Sequence, residues 1–273
     1  MTNSIFLCST FHDPELKLEG LIKRALPIIN ELFPTKILAC TQVTIEGIRE
    51  ICTENNFIVV GTESSRVVDT YLLAFKTAFK SSEDENQKFF YIDFDRLVHW
   101  VLQYPEELKS IIKKEHNYDY LHIARSDKAF ESHPNTQKDT ESIINRIGST
   151  ALGLHDVKDL ISVCFIFTKD LCKNILDLEY TTSRGFYGLW PIIFWSNSSE
   201  RNYIEVEGLE WETPDRFIQE IKEIGYSIWI EKFQNANEWK KRIQFIDEFI
   251  RELENFTEIN LFYQIKSRDK SQM

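Results

Sequence analysis

Two aspartates separated by a single residue, Asp93 and Asp95, follow the apolar run FFYI in the segment FFYIDFDRLVHW, residues 89–100. Carboxylates at this spacing face one cavity if the chain leaves β geometry between them, and together they make a hard oxygen site. Such a site suits Mg²⁺ or Mn²⁺, which takes its other ligands from waters and phosphate oxygens. A plainer account is that the pair solvates a strand end or caps the helix beginning near Arg96. Its position after the fourth of a series of predicted strands favours metal and diphosphate chemistry.

The elements that must hold the pair are predicted from hydrophobic periodicity. SIFLCST reads as a strand, and Asp13 then caps a helix with Pro14 in its first position. TKILACTQ and FIVVGTE read as strands, with the helices TIEGIREICTEN and SRVVDTYLLAFKTAF after them. The order βαβαβαβ with short connections predicts an α/β fold whose mostly parallel central sheet is flanked by helices. An open sheet of this kind binds ligands at the carboxyl ends of its strands, where Asp93 and Asp95 fall.

Further along, a helix is interrupted or restarted near Pro105, DYLHIARS is a strand, and SDKAFESHPNTQ reads as an irregular loop. The helix KDTESIINRIGSTAL, the strand LISVCFIFT and the helix KDLCKNILDLEY follow. RGFYGLWPIIFW reads as a loop entering a helix, and a short strand then leads to a turn at Pro214. From about residue 215 to 256, FIQEIKEIGYSIWIEKF and EWKKRIQFIDEFIRELENF carry the pattern of two amphipathic helices. The expected division is residues 1–214 as the main unit and 215–273 as a helical extension packed on it, with the tail KSRDKSQM frayed.

Composition narrows the class. A chain of 273 residues with 42% hydrophobic content can bury a full core. The net charge of −11 argues against general attraction to nucleic-acid backbones. Five scattered cysteines, Cys8, Cys40, Cys52, Cys164 and Cys172, suit buried reduced thiols, and MTNSIFLCSTFHD lacks the basic start of a signal peptide. No segment reaches the roughly 18 apolar residues of a membrane span. A cytoplasmic protein is expected. Six histidines, His12, His99, His116, His122, His133 and His155, show no zinc-hydrolase spacing.

With its βαβαβαβ half ending in Asp93-Phe94-Asp95, the chain resembles the nucleotide-diphospho-sugar transferases of the GT-A fold, over roughly residues 4 to 212. The resemblance implies a metal-dependent glycosyltransferase that takes a nucleotide-diphosphate sugar donor and an unknown acceptor. It implies that Asp95 touches a divalent cation and Asp93 a ribose or metal-bound water. It places Ser9, Thr10 and Phe11 around the nucleoside, and Ser65 and Arg66 near the base or ribose. An inverting member needs a carboxylate base, which the family often supplies near RGFYGLWPIIFW. This chain has no acid between Arg184 and Trp195, so the base candidates are Asp156, Asp159 and Glu179.

Other residues invite roles at the same site. Arg125, Lys128 and His133 form a set able to clamp an anionic group, or simply an exposed polar loop. His155 and Asp156 fit a third metal ligand, a substrate contact or a turn. Trp190, Trp195 and Trp211 offer sugar-stacking faces or core, and Glu210 and Glu212 flank Trp211 at a strand end. Two alternatives stand beside the transferase. One is a phosphatase of the haloacid dehalogenase type, with Asp93 as nucleophile and Asp95 as acid, although Leu97 and three preceding βα units fit it poorly. The other is a GT-A-like binding protein without turnover. Oligomeric state is not determined, because the C-terminal helices serve equally as an acceptor cover or a dimer contact.

Overall fold

The computed structural model describes residues 5–114 and 117–270. His116 and residues 271–273 therefore lie outside the described residues. The first half is β1 (Phe6–Phe11), α1 (Glu19–Leu32), β2 (Lys36–Thr41), α2 (Gln42–Glu54), β3 (Phe57–Thr62), α3 (Val67–Ser81) and β4 (Lys88–Tyr91). α1 begins later than Pro14. Asp13 holds the turn before it, accepting the Leu18 N–H at 3.0 Å.

The second half runs α4 (Phe94–Gln103), α5 (Pro105–Ile112), β5 (Tyr120–Arg125), α6 (Asp127–Glu131), α7 (Asn135–Ala151), β6 (Phe165–Thr168), α8 (Lys169–Leu176), α9 (Phe186–Asn197) and β7 (Arg201–Val206). The helix does restart at Pro105. The supposed loop after β5 instead contains α6, because Ser126 caps it by accepting the Ala129 N–H at 3.2 Å. A 3-10 turn, Thr213–Phe217, leads to α10 (Ile218–Ile224), α11 (Tyr226–Trp229), a second 3-10 turn and α12 (Ala236–Lys270). The single helix expected over residues 217–233 is broken at Gly225, whose φ of +83° suits a residue without Cβ. The tail expected to fray continues α12 through Lys270.

The sheet has the order β3-β2-β1-β4-β6-β5-β7. Only β6 runs against the rest, pairing antiparallel with both β4 and β5. The mostly parallel α/β sheet flanked by helices is thus present. Both faces are covered, which explains why the strands read as continuous apolar runs. Leu7, Leu38 and Phe90 enter a core with α1 and α4, while their chain neighbours Cys8, Ile37 and Phe89 enter one with α3, α8 and α9. All five cysteines are free and buried, and burial pushes the Cys40 and Cys52 thiols up to about 12. No helix among the described residues is long and apolar enough to cross a membrane.

α12 lies against α7 and α9, where Phe245 and Phe249 pack with Ile144 and Ile192. Its approach is close. A Cβ added at Gly185 would collide with the Glu248 carbonyl. Glu248 accepts the Arg184 N–H at 2.7 Å, and Glu252 accepts the Thr182 N–H at 2.5 Å, so the loop before α9 is bonded to the C-terminal helix.

Candidate functional site

β4 ends at Tyr91, and Asp93 is the residue before the first turn of α4. Its backbone carbonyl accepts the Leu97 N–H at 3.0 Å, but its side chain caps nothing. Instead Asp93 Oδ1 accepts three hydroxyls, from Thr10 at 3.0 Å and from Tyr71 and Tyr91 at 2.7 Å each. Tyr187 donates in turn to Tyr71 Oη at 2.8 Å. Burial raises the Asp93 pKa, Arg96 opposes that rise and Asp95 adds to it.

Asp95 sits one residue into α4, where the helix dipole favours a carboxylate. Its Oδ2 is ion-paired with Arg216 Nη2 at 2.7 Å, across 121 residues of sequence. Glu212 stands nearby, with Oε2 3.4 Å from Arg96 Nε. That oxygen is buried and makes no hydrogen bond. Burial raises the Glu212 pKa, with Arg96 opposing and Asp95 reinforcing. Arg96 also donates to the Ser162 carbonyl at 2.6 Å.

Two cavities meet here. The first, of about 430 Å³, opens at the carboxyl ends of β1 and β2 and the start of α3. Thr10, Phe11, Ser65, Arg66, Asp93 and Asp95 all line it, together with Glu212, so the structure brings these sequence candidates to one opening. The second, of about 320 Å³, is lined by Arg96, Gln137 and Trp211 together with Phe233, Arg242 and Phe245 from the C-terminal segment. Asp93, Tyr187 and Glu212 border both.

Other sequence candidates are elsewhere. Ser9 is buried and donates to the Ile92 carbonyl at 2.7 Å, which ties β1 to the chain beyond β4. Arg125 cannot clamp a ligand as expected, because its buried guanidinium is consumed by Asp159 at 2.8 and 2.7 Å and by Glu141 at 2.7 Å. Asp159 is a poor base for the same reason. Burial works against its charge, yet Arg125 holds its carboxyl well below the usual carboxylate range, and Asn145 donates to it at 2.9 Å. Asp156 is exposed beside His155 at 3.0 Å and lines neither cavity, and Glu179 is exposed as well.

Lys128 pairs with Glu207 and Glu210 at 3.0 and 3.1 Å, and His133 is buried against the Ala129 carbonyl. Of the three tryptophans, Trp190 is core and Trp195 packs under Arg201, while Trp211 faces the second cavity. Sequence reasoning missed Tyr71, Tyr187, Arg96, Arg216 and Arg242. Arg96 alone had a local signal, since it directly follows the D-x-D.

A divalent ion carried on a diphosphate needs only one or two protein carboxylates, and Asp93 and Asp95 both face the first cavity. No larger group of metal-type ligands gathers among the described residues. Asp95 Oδ2 is already held by Arg216, so cation binding and release of that ion pair would be linked.

No family profile matches the chain, and neither does any curated protein. Among solved structures it is similar to a 4-diphosphocytidyl-2C-methyl-D-erythritol synthase from Anaerococcus prevotii, at 11% identity and a TM-score of 0.44. The match covers 80% of this chain and 97% of the other. A likeness of that size says nothing about what this chain does.

Proposed function

We propose that the chain is a transferase acting on a nucleoside-diphosphate-linked donor, and that the group it transfers is a sugar. The observation that carries this reading is the pair of cavities sharing Asp93, Tyr187 and Glu212, with the D-x-D at the mouth of α4 between them. The first cavity takes the donor. Thr10, Ser65 and Arg66 face its nucleoside, and Arg216 supplies positive charge near the departing diphosphate. Mn²⁺ or Mg²⁺ held by Asp93 and Asp95 would neutralise charge growing on that leaving group.

Glu212 is the carboxylate suited to act as base. It borders both cavities, its Oε2 has no hydrogen bond, and its raised pKa brings it nearer to neutral working conditions. In the proposed step it takes the proton of an acceptor hydroxyl while that oxygen bonds to the anomeric carbon. The bond from that carbon to the diphosphate oxygen breaks, and the nucleoside diphosphate leaves with the electron pair.

The test is a thermal-shift screen of nucleoside diphosphates and nucleotide sugars, with and without Mn²⁺, on wild type and Asp95→Ala. Ligand at about 100 times its Kd stabilises by about 2.7 kcal/mol, which moves Tm by several degrees. A shift that needs metal and is lost in Asp95→Ala is the expected result. No shift with any nucleotide would overturn the reading. A shift without turnover of any sugar donor would favour the non-catalytic binding protein.

A further inference from the structure

The second cavity has a chemistry of its own. At about 320 Å³ it falls at the small end of ligand sites, which run roughly 300–1,000 Å³. Two aromatic surfaces wall it. Trp211 meets Phe233 edge-on at 5.1 Å between ring centroids, and Tyr187 meets Phe245 at 5.7 Å. Rings so placed offer flat apolar faces of the kind that pack against the C–H face of a pyranose.

The charges exclude one class of ligand. Four carboxylates, Asp93, Glu141, Glu212 and Glu238, face two guanidiniums, Arg96 and Arg242. Both guanidiniums are already engaged. Arg96 is held by the Ser162 carbonyl and Glu212, and Arg242 donates to Glu141 at 3.2 Å and Gln137 at 2.8 Å. A phosphate or carboxylate entering here would meet an excess of anions and no unengaged cation.

The hydrogen-bonding demand points the same way. Glu212 Oε2 is buried and, although Arg96 Nε lies 3.4 Å away, it accepts no hydrogen bond, so an O–H or N–H that reaches it satisfies an unmet acceptor. A ligand hydroxyl meets that need. The C-terminal segment completes the site, since Phe233, Glu238, Arg242 and Phe245 all come from beyond residue 230.

We infer that the second cavity binds a neutral, sugar-sized polyhydroxylated acceptor, laid against Trp211 with one hydroxyl on Glu212 Oε2, and that it discriminates against phosphorylated or carboxylated counterparts. The acceptor role rests on the donor reading above. The binding itself does not.

The experiment uses the full chain labelled with ¹⁵N at the tryptophan indoles and titrates neutral methyl hexosides and a neutral disaccharide, without nucleotide. Glucose 6-phosphate and glucuronate serve as charged counterparts. The Trp211 indole resonance is assigned by its loss in Trp211→Phe, a variant that keeps an aromatic ring in place. At least one neutral glycoside should shift that resonance, at least tenfold more tightly than either charged sugar, and Glu212→Gln should weaken it about tenfold. Tighter binding of the charged sugars at Trp211, or no shift with any neutral glycoside up to its solubility, would overturn the inference. Failure of the donor reading looks different. Nucleotide binding without glycoside binding sinks only the acceptor class, while glycoside binding without nucleotide binding sinks only the donor and leaves a saccharide-binding protein.

Discussion

Asp93 shows how far neighbours define a carboxylate. Three hydroxyls on one oxygen compensate a buried anion without any lysine or arginine in direct hydrogen-bond contact with that oxygen. Tyr71→Phe should therefore raise the Asp93 pKa further and weaken any cation-dependent nucleotide shift, readable in the thermal-shift assay as a higher Mn²⁺ requirement. Glu212→Gln should leave nucleotide binding intact and lower sugar transfer by about 10²–10⁴-fold, the usual contribution of a positioned base. Equal loss of both would mean that Glu212 supports the cavity rather than the chemistry. Asp159 is the contrasting case. Its partner Arg125 is fully buried, so Asp159→Asn should cost about 3 kcal/mol in denaturant unfolding, the low end for breaking a buried pair because Glu141 remains.

The 3-10 turn Thr213–Phe217 is clamped to α4 at two points, by Arg216 on Asp95 and by Asp215 on His99 Nδ1 at 2.8 Å. Burial opposes a charged His99, but the hydrogen bond and charge of Asp215, with help from Glu212 and Glu210, leave its pKa raised. A raised folded-state pKa stabilises fully below the unfolded value of about 6.5 and loses that contribution as pH rises through the folded value. The stability gap between wild type and His99→Gln should thus be widest at acid pH and narrow above neutrality, measured by urea unfolding across pH. A gap that widens with pH would contradict the clamp. At the start of α9, Gly185→Ala must push the Glu248 carbonyl, and α12 with it, away from α9, so its denaturation midpoint should fall clearly below that of wild type.

Residues beyond 214 are walls of the site as well as cover for the core. A chain cut after residue 214 loses Arg216, the Phe233 and Phe245 walls, and the cover over Ile144 and Ile192. The fragment should unfold at lower urea than the full chain and bind neither nucleotide nor glycoside. A fragment that keeps the nucleotide shift would show that the donor cavity stands without its C-terminal side.

The parallel half of the sheet and the place of Asp93 and Asp95 at the carboxyl end of its fourth strand were legible in the sequence, because apolar runs, caps and turn residues act over a few neighbours. Thr10, Phe11 and Arg66 come from the resemblance to the GT-A transferases and not from local pattern, and they line the same cavity as the two aspartates. Local pattern has no access to which distant charge meets which. Arg125 and Asp159 are 34 residues apart and cancel one another, whereas Asp95 and Arg216 meet across 121. The reversed direction of β6 and the place of Glu212 between two cavities likewise rest on contacts between segments distant in sequence. Burial and charge pairing are properties of the closed structure, so only the fold could separate the carboxylates free to act from those already neutralised.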